Sequence, residues 1–241
     1  MSVKRIGHKG ADLIAPGNTL ASFDAALAAG VDMIEFDVLP DRGSDGRPDV
    51  ARGRLLLAHD YSEVGDAVLG LGDGLAHLAG PQYDGIELDV DLKIPGYELR
   101  VVDALRAHGL VERTLISTTY PESLACIRAY EPRLRLGWSV PRASRDYTAS
   151  IVFKLPAYGV LQVMRRALPT RAARALNAGH CDALMVHWRL VTPHLVQTVK
   201  AAGGELYVWT VDDATRIRTL IGLDVSGIIT NDPRLFPAQS L

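Results

Sequence analysis

The sequence predicts an α/β protein, a closed parallel TIM (β/α)8 barrel, on three observations. Short β-type runs recur along the chain, amphipathic stretches separate them, and acids and histidines gather where the early runs end. The length of 241 residues suits one barrel domain spanning 1–241. An open doubly wound sheet is the alternative arrangement of the same alternation.

The strands fall near 4–8, 33–38, 86–92, 114–118, 134–140, 183–187, 206–211 and 227–230. Helices fill 18–29, 98–108, 121–130, 165–177, 192–202 and 213–221. Asn18 and Thr192 carry N-cap side chains, and Pro193 follows Thr192 at a first helical position. Gly30, Gly109, Gly203 and Gly222 stand where a helix must stop before the next strand. The alternation breaks once. After the second strand, PDRGSDGRPDVARG leads to LLLAHD with turn residues and no helix between. This predicts a short hairpin that returns His59 to the end of strand two. The Gly-rich stretch 61–85 then forms a small insertion with at most one helix.

Composition narrows the function. Hydrophobic residues make up 48% and charged residues 22%, as in a globular protein with a real core. A formal charge of −2 sets up no field to recruit nucleic acid. Cys126 and Cys181 are far apart in sequence, which excludes a thiolate zinc site and a multi-disulfide framework. They fit a reducing compartment. The N-terminus has no apolar signal core, so a cytoplasmic location is expected. No feature speaks to oligomeric state. GLGDGL near residue 70 lacks the last glycine of GxGxxG, and there is no GxxxxGK[ST] or GxSxG.

The informative residues are His8, Glu35, Asp37, His59, Asp91 and Lys93. Alternation puts Glu35 and Asp37 on one strand face and Phe36 and Val38 on the other. The same parity aligns Glu87, Asp89, Asp91 and Lys93. Acids on an otherwise apolar strand are costly in a core unless paired or bound to a cation. All-oxygen donors favour Mg2+ or Ca2+ over zinc. Lys93 and Lys9 can balance the remaining charge, and two histidines suit proton transfer in both directions. The plainer alternative is that the LDVDLK acids, Asp89 and Asp91, pair with arginines on neighbouring strands. His187, Ser117 and Thr118 also end strands and are candidates to line the pocket. His77, His108, His180 and His194 read as structural.

Between 133 and 174 lie Arg133, Arg135, Arg142, Arg145, Lys154, Arg165, Arg166, Arg171 and Arg174, against the single acid Asp146. Interleaved apolar residues from Ile151 to Met164 would let this segment lie on an anionic membrane surface. A barrel helix with a solvated basic face, preceded by a long loop, is the preferred reading.

The pattern HKGA at 8–11, APGNTLASF at 15–23, IEFDV at 34–38, AHD at 58–60, LDVDLK at 88–93, VWTVDD at 208–213 and GIITNDP at 227–233 resembles the glycerophosphodiester phosphodiesterase family. It runs in order along nearly the whole chain. The resemblance implies a TIM barrel with a small insertion after the His-Asp hairpin. It implies metal-dependent hydrolysis of a small-molecule glycerophosphodiester to glycerol 3-phosphate and an alcohol. Carried over, His8 and His59 match the acid/base pair, and Glu35, Asp37 and Asp91 the ligands of one divalent cation, Mg2+ or Ca2+, with Mn2+ a third candidate. Lys9, Lys93 and Trp209 match substrate-binding positions. Three departures stand out. Lys9 replaces an arginine and loses its bidentate fork, Gly17 replaces a glutamate, and Asp91 is one methylene shorter than the usual glutamate. Three rivals follow: a lysophospholipase D-like enzyme, a catalytically weakened phosphodiester-binding barrel, and a Schiff-base aldolase using Lys93.

Overall fold

The computed structural model describes residues 3–65, 67–142 and 154–237, with side chains in the fifth helix from 159 onward. Among these residues, eight parallel strands close a ring: β1 (Lys4–Gly7), β2 (Met33–Pro40), β4 (Glu87–Leu92), β5 (Thr114–Thr118), β6 (Arg135–Val140), β7 (Ala183–His187), β8 (Glu205–Trp209) and β9 (Gly227–Thr230). Pairing of β1 with both β2 and β9 completes the barrel and excludes the open sheet. The two-residue β3 (Leu55–Leu56) lies outside the ring, antiparallel to β2 through Leu39–Leu56 and Pro40–Leu55. It is the expected hairpin. The insertion holds one α-helix, as expected.

The helices are α1 (Leu20–Ala28), α2 (Leu71–Leu78), α3 (Glu98–Ala107), α4 (Pro121–Tyr130), α5 (Lys154–Asn177), α6 (Pro193–Ala201) and α7 (Ala214–Gly222). A 3-10 turn, Pro233–Leu235, follows β9 where an eighth helix would stand. Three local expectations need correction. Thr19, not Asn18, caps α1, in a reciprocal capping box with Ser22. Asn18 takes a left-handed φ of 58° and turns its amide to Asp37 instead. Helix α5 begins at Lys154 rather than 165, because a proline in a first turn costs no hydrogen bond and Pro156 is no barrier there. Gly222 ends α7 inside the helix, and Asp224 supplies the left-handed residue. Thr192 caps α6, and Gly30, Gly109 and Gly203 take the left-handed stop, as expected.

The main hydrophobic cluster lies between the outer strand faces and the helices, and it includes Phe36 and Val38. The barrel interior is different. Its apolar filling is a plug of Ile6, Met33, Leu115, Ala183, Met185, Tyr207 and Ile229. Below this plug, at the N-terminal strand ends, Glu87 receives Lys4 and Arg135, each at 2.6 Å. Arg135 also pairs with Glu205 and donates to the Tyr207 hydroxyl at 2.9 Å. Glu87 is thus a structural ion-pair partner, whereas Asp91 pairs with Lys93 of its own strand rather than with an arginine of a neighbouring one. Two glycines make room for the plug. A Cβ on Gly227 would meet Tyr207 at 2.7 Å and Ile6 at 2.9 Å, and one on Gly137 would meet Leu115 and Met185 at 2.9 Å.

Of the basic segment, Arg145, Asp146 and Ile151–Phe153 fall outside the described residues, as do the side chains of Lys154, Leu155 and Tyr158. Arg133 pairs with Glu131 and Glu112, Arg142 stacks on Tyr120 at 4.2 Å, and Arg171 on Trp138 at 5.3 Å. Among the described residues no helix is long and apolar enough to cross a membrane. Overpacking at the plug predicts a cost. Gly227→Ala should lower the chemical-denaturation stability by about 1–3 kcal/mol, with helix content unchanged by circular dichroism.

Candidate active site

The C-terminal strand ends open into a cavity of about 680 Å³. Its walls include His8, Glu35, His59, Asp91, Lys93, Ser117 and Trp209. Seven residues from six separate stretches of sequence thus meet at one mouth. Asp37 lies beneath them, fully buried. Register explains the concentration of acid. Strands β2 and β4 pair Glu35 with Asp89 and Asp37 with Asp91, so four carboxylates stand side by side. Glu35, Asp37 and Asp91 each present an oxygen within 4.8 Å of the others. Asp89 is buried, also lines the cavity, and is not part of that group.

Lys93 answers this charge. Its ammonium is 2.5 Å from Asp37 Oδ1 and 2.5 Å from Asp91 Oδ2. Asn18 Nδ2 donates to Asp37 Oδ2 at 3.0 Å, and Asn18 Oδ1 accepts from the Asp37 amide at 3.1 Å. Burial pushes the Asp37 carboxyl up, but the Lys93 ammonium and the Asn18 amide hold it below the usual carboxylate range. Glu35 is driven the other way, well above its ordinary value, by burial and then by Asp37. Asp89 rises for the same reasons, burial first and Glu35 next. Asp91 rises too, chiefly through burial. Burial would lower Lys93, yet Asp37, Asp91 and Glu35 outweigh it and raise it well above normal. An ammonium held that firmly is a poor amine nucleophile, which argues against the aldolase reading.

The loop after β1 is tied to the same acids. Lys9 has a left-handed φ of 49°, and its amide donates to Glu35 Oε2 at 2.8 Å. Its ammonium meets Glu63 at 3.0 Å and Asp37 at 3.9 Å. Lys9 lines an adjoining cleft with Asp12, Gly17 and Glu63 rather than the main cavity. His8 is partly buried. Its Nδ1 lies 2.6 Å from Asn231 Oδ1 and its Nε2 3.9 Å from Glu35 Oε2. Burial lowers its pKa. His59 stands on the exposed chain after β3, with its amide donating to Glu63 Oε2 and its ring 3.3 Å from Asp60. Trp209 meets His187 edge to face at 5.1 Å.

Ser117 lines the cavity, as expected of a strand-end residue. Thr118 instead faces away and donates to Leu92 O at 2.9 Å, and the next residue, Thr119, reaches the wall. His187 is not among the lining residues and supports Trp209 from behind. Asn18, Asn231 and Asp212 are residues that sequence reasoning missed. Asn18 sits in APGNTLASF, and the other two in TNDP and VWTVDD, so the motifs marked their positions without marking their partners.

A parallel barrel with an oxygen-donor cluster and two histidines at its mouth is the class that this fold and site define. The chain matches the model of the glycerophosphoryl diester phosphodiesterase family over residues 8–48 and 99–235. Those stretches hold His8, Glu35, Asp37 and Trp209 and leave out 49–98, where His59, Asp91 and Lys93 lie. A glycerophosphodiester phosphodiesterase of Caldanaerobacter subterraneus subsp. tengcongensis is 25% identical over 261 residues, covering 95% of this chain and 93% of that protein. Glycerophosphodiester phosphodiesterase GDPD4 of Arabidopsis thaliana is 26% identical, covering 95% of this chain and 70% of that protein. Among solved structures, an Oleispira antarctica phosphodiesterase in complex with the product sn-glycerol-3-phosphate matches with TM-score 0.71 and 20% identity, covering 97% of this chain and 94% of that one. The chain belongs to the glycerophosphoryl diester phosphodiesterase family, and its enzyme class is phosphoric diester hydrolase.

Removing Lys93 would take the nearest ammonium from two carboxylates, Asp37 and Asp91. Lys93→Met should cost about 3–5 kcal/mol at neutral pH without divalent cation. Asp37 has a lowered folded pKa, so its pairing stabilises above the carboxylate range and is lost as pH falls. The Lys93→Met penalty should therefore shrink as pH drops through that range, as measured by urea midpoints across pH.

Proposed function

We propose that this protein hydrolyses glycerophosphodiesters to glycerol 3-phosphate and an alcohol at one divalent cation, with His8 and His59 exchanging protons. The single observation that carries the reading is the three-oxygen cluster Glu35, Asp37 and Asp91, set between two histidines in one cavity. The donor set fits the cation. It is all oxygen, partly buried, and so rich in negative charge that Asp37 and Asp91 share one ammonium. A bound Mg2+, Ca2+ or Mn2+ would supply Lewis-acid stabilisation of charge on the phosphoryl oxygens.

The chain's own residues do the rest. Lys93 adds fixed positive charge beside the phosphoryl site and orients Asp37 and Asp91. Burial keeps the His8 imidazole neutral and able to accept a proton. His59, at the exposed rim, is placed to exchange a proton with the other oxygen and with solvent. Trp209, braced by His187, offers an apolar wall for the substrate's carbon skeleton. Lys9 acts through the site rather than on substrate, since its amide orders Glu35 and its ammonium meets Glu63. A reducing, cytoplasmic setting suits Cys126 and Cys181, both free.

A second substrate reading has its own observation. An apolar cavity of about 410 Å³, walled by Val163, Met164 and Leu168 of α5, shares Thr119, Ser139, Pro141 and Arg142 with the main cavity. An acyl chain would fit there, which favours lysophospholipid as an additional substrate.

Incubation with glycerophosphocholine and Mg2+, Ca2+ or Mn2+ should release glycerol 3-phosphate. Comparison with lysophosphatidylcholine separates the two substrates. His8→Ala and His59→Ala should each lower kcat by about 10²–10⁴. Turnover that survives thorough chelation would remove the cation from the reading. Independently of turnover, saturating divalent cation should raise the thermal midpoint. A hundredfold excess over Kd corresponds to about 2.7 kcal/mol, or about 5–10 °C for a chain of this size, and Asp91→Asn should abolish most of the rise.

A further inference from the structure

We propose that Asn231, anchored by Asp212, is a positioning residue that holds neutral His8 with its proton on Nδ1 and its Nε2 lone pair facing the cavity. This rests on the reading above, in which His8 transfers a proton.

Three neighbouring strand ends build the arrangement. His8 follows β1, Asn231 follows β9 and Asp212 lies just beyond β8. The β1–β9 ladder continues into a backbone bond from His8 N to Thr230 O at 2.8 Å, which brings the two side chains together. His8 Nδ1 is then 2.6 Å from Asn231 Oδ1.

The amide's orientation follows from its far end. Asn231 Nδ2 donates to Asp212 Oδ2 at 2.6 Å, and a carboxylate oxygen only accepts, so the carbonyl end must face His8. Asp212 cannot turn away. Its other oxygen accepts from the Asn231 amide at 2.8 Å and from the Thr230 hydroxyl at 3.0 Å. A carbonyl oxygen facing Nδ1 demands an N–H there, which leaves Nε2 without a proton. Nε2 is the nitrogen on the Glu35 side of the ring, and His8 lines the cavity. The same polar chain can still hold the ring after Nε2 takes a proton, because Nδ1 remains a donor. A nucleophile's base oriented by a third group is a recurring arrangement in hydrolases, but here the orienting group is an amide and a carboxylate stands one step behind it.

Reversal of the chain's polarity tests the proposal. In Asp212→Asn, the backbone amide of Asn231 cannot reverse, so the new carboxamide must keep its oxygen there and turn its NH2 towards Asn231. The Asn231 amide then flips and offers an NH2 to His8, which favours the wrong tautomer. The expected result is a kcat loss of about 10²–10⁴ with KM changed only a few-fold. Adding Asn231→Asp to Asp212→Asn restores an acceptor for both His8 Nδ1–H and the new carboxamide. That double variant should recover at least about tenfold of the lost kcat. Nitrogen-15 NMR of the His8 ring supplies a readout apart from turnover. Wild type and the double variant should show Nδ1–H, and Asp212→Asn should show Nε2–H. An Nε2–H tautomer in the wild type overturns the proposal even if the variants fail to fold. So does Asp212→Asn with unchanged tautomer and kcat, or a double variant that recovers neither. Absence of any diester turnover in the wild type would instead sink the catalytic reading, while the NMR result still decides the tautomer.

Discussion

Lys93 is the residue on which the mouth of this barrel depends. Two adjacent strands in register bring four carboxylates together, an arrangement that no low-dielectric interior tolerates without compensation. One ammonium between Asp37 and Asp91 supplies most of it. Asn18 and the Lys9 amide supply the remainder from the loop after β1. The backbone pays with two left-handed residues, Lys9 and Asn18, in that loop. The outcome is a set of acids with divided behaviour. Asp37 is held ionised while Glu35 is pushed towards the neutral acid, although one residue separates them. Neighbouring carboxyls pulled apart in this way are characteristic of sites that handle protons and cations.

The barrel interior is organised in tiers that keep this charge at one end. Ion pairs among Lys4, Glu87, Arg135 and Glu205 close the bottom. The apolar plug around Met185 and Tyr207 separates them from the mouth. Strand β4 crosses all the tiers, so its inward residues do unlike work along a single face. Glu87 is a structural ion-pair partner, Asp89 a buried acid, and Asp91 a member of the oxygen cluster.

Much of this was legible in the sequence. The eight strands, the hairpin and the convergence of His8, Glu35, His59, Asp91 and Lys93 follow from periodicity, turn chemistry and strand-end placement, and Trp209 from the family resemblance. What was hidden was the partnering between elements distant in sequence. Asn18 reads locally as a helix cap, because Asn before Thr at a helix start usually is one. Only the closed barrel brings Asp37 within its reach, and Thr19 can take over the cap. The pairing of the Lys9 ammonium with Glu63, from the insertion, was likewise out of reach of the sequence. The early start of α5 was masked by Pro156 and Gly159, which discourage helix in isolation but are tolerated near an N-terminus. Asn231 and Asp212 lie in recognisable motifs, yet nothing in one dimension says that they meet His8.

The two histidines of the cavity rest on unequal supports. His8 is wired into the barrel ladder through Thr230 and held by its side chain. His59 hangs from a hairpin whose outer strand pairs over only two residues and lies outside the ring. The mouth therefore rests on two kinds of support, the closed ring under His8 and a hairpin outside that ring under His59. Fluctuation or sequence drift in the hairpin can open, retune or replace the second histidine while the sheet beneath stays folded.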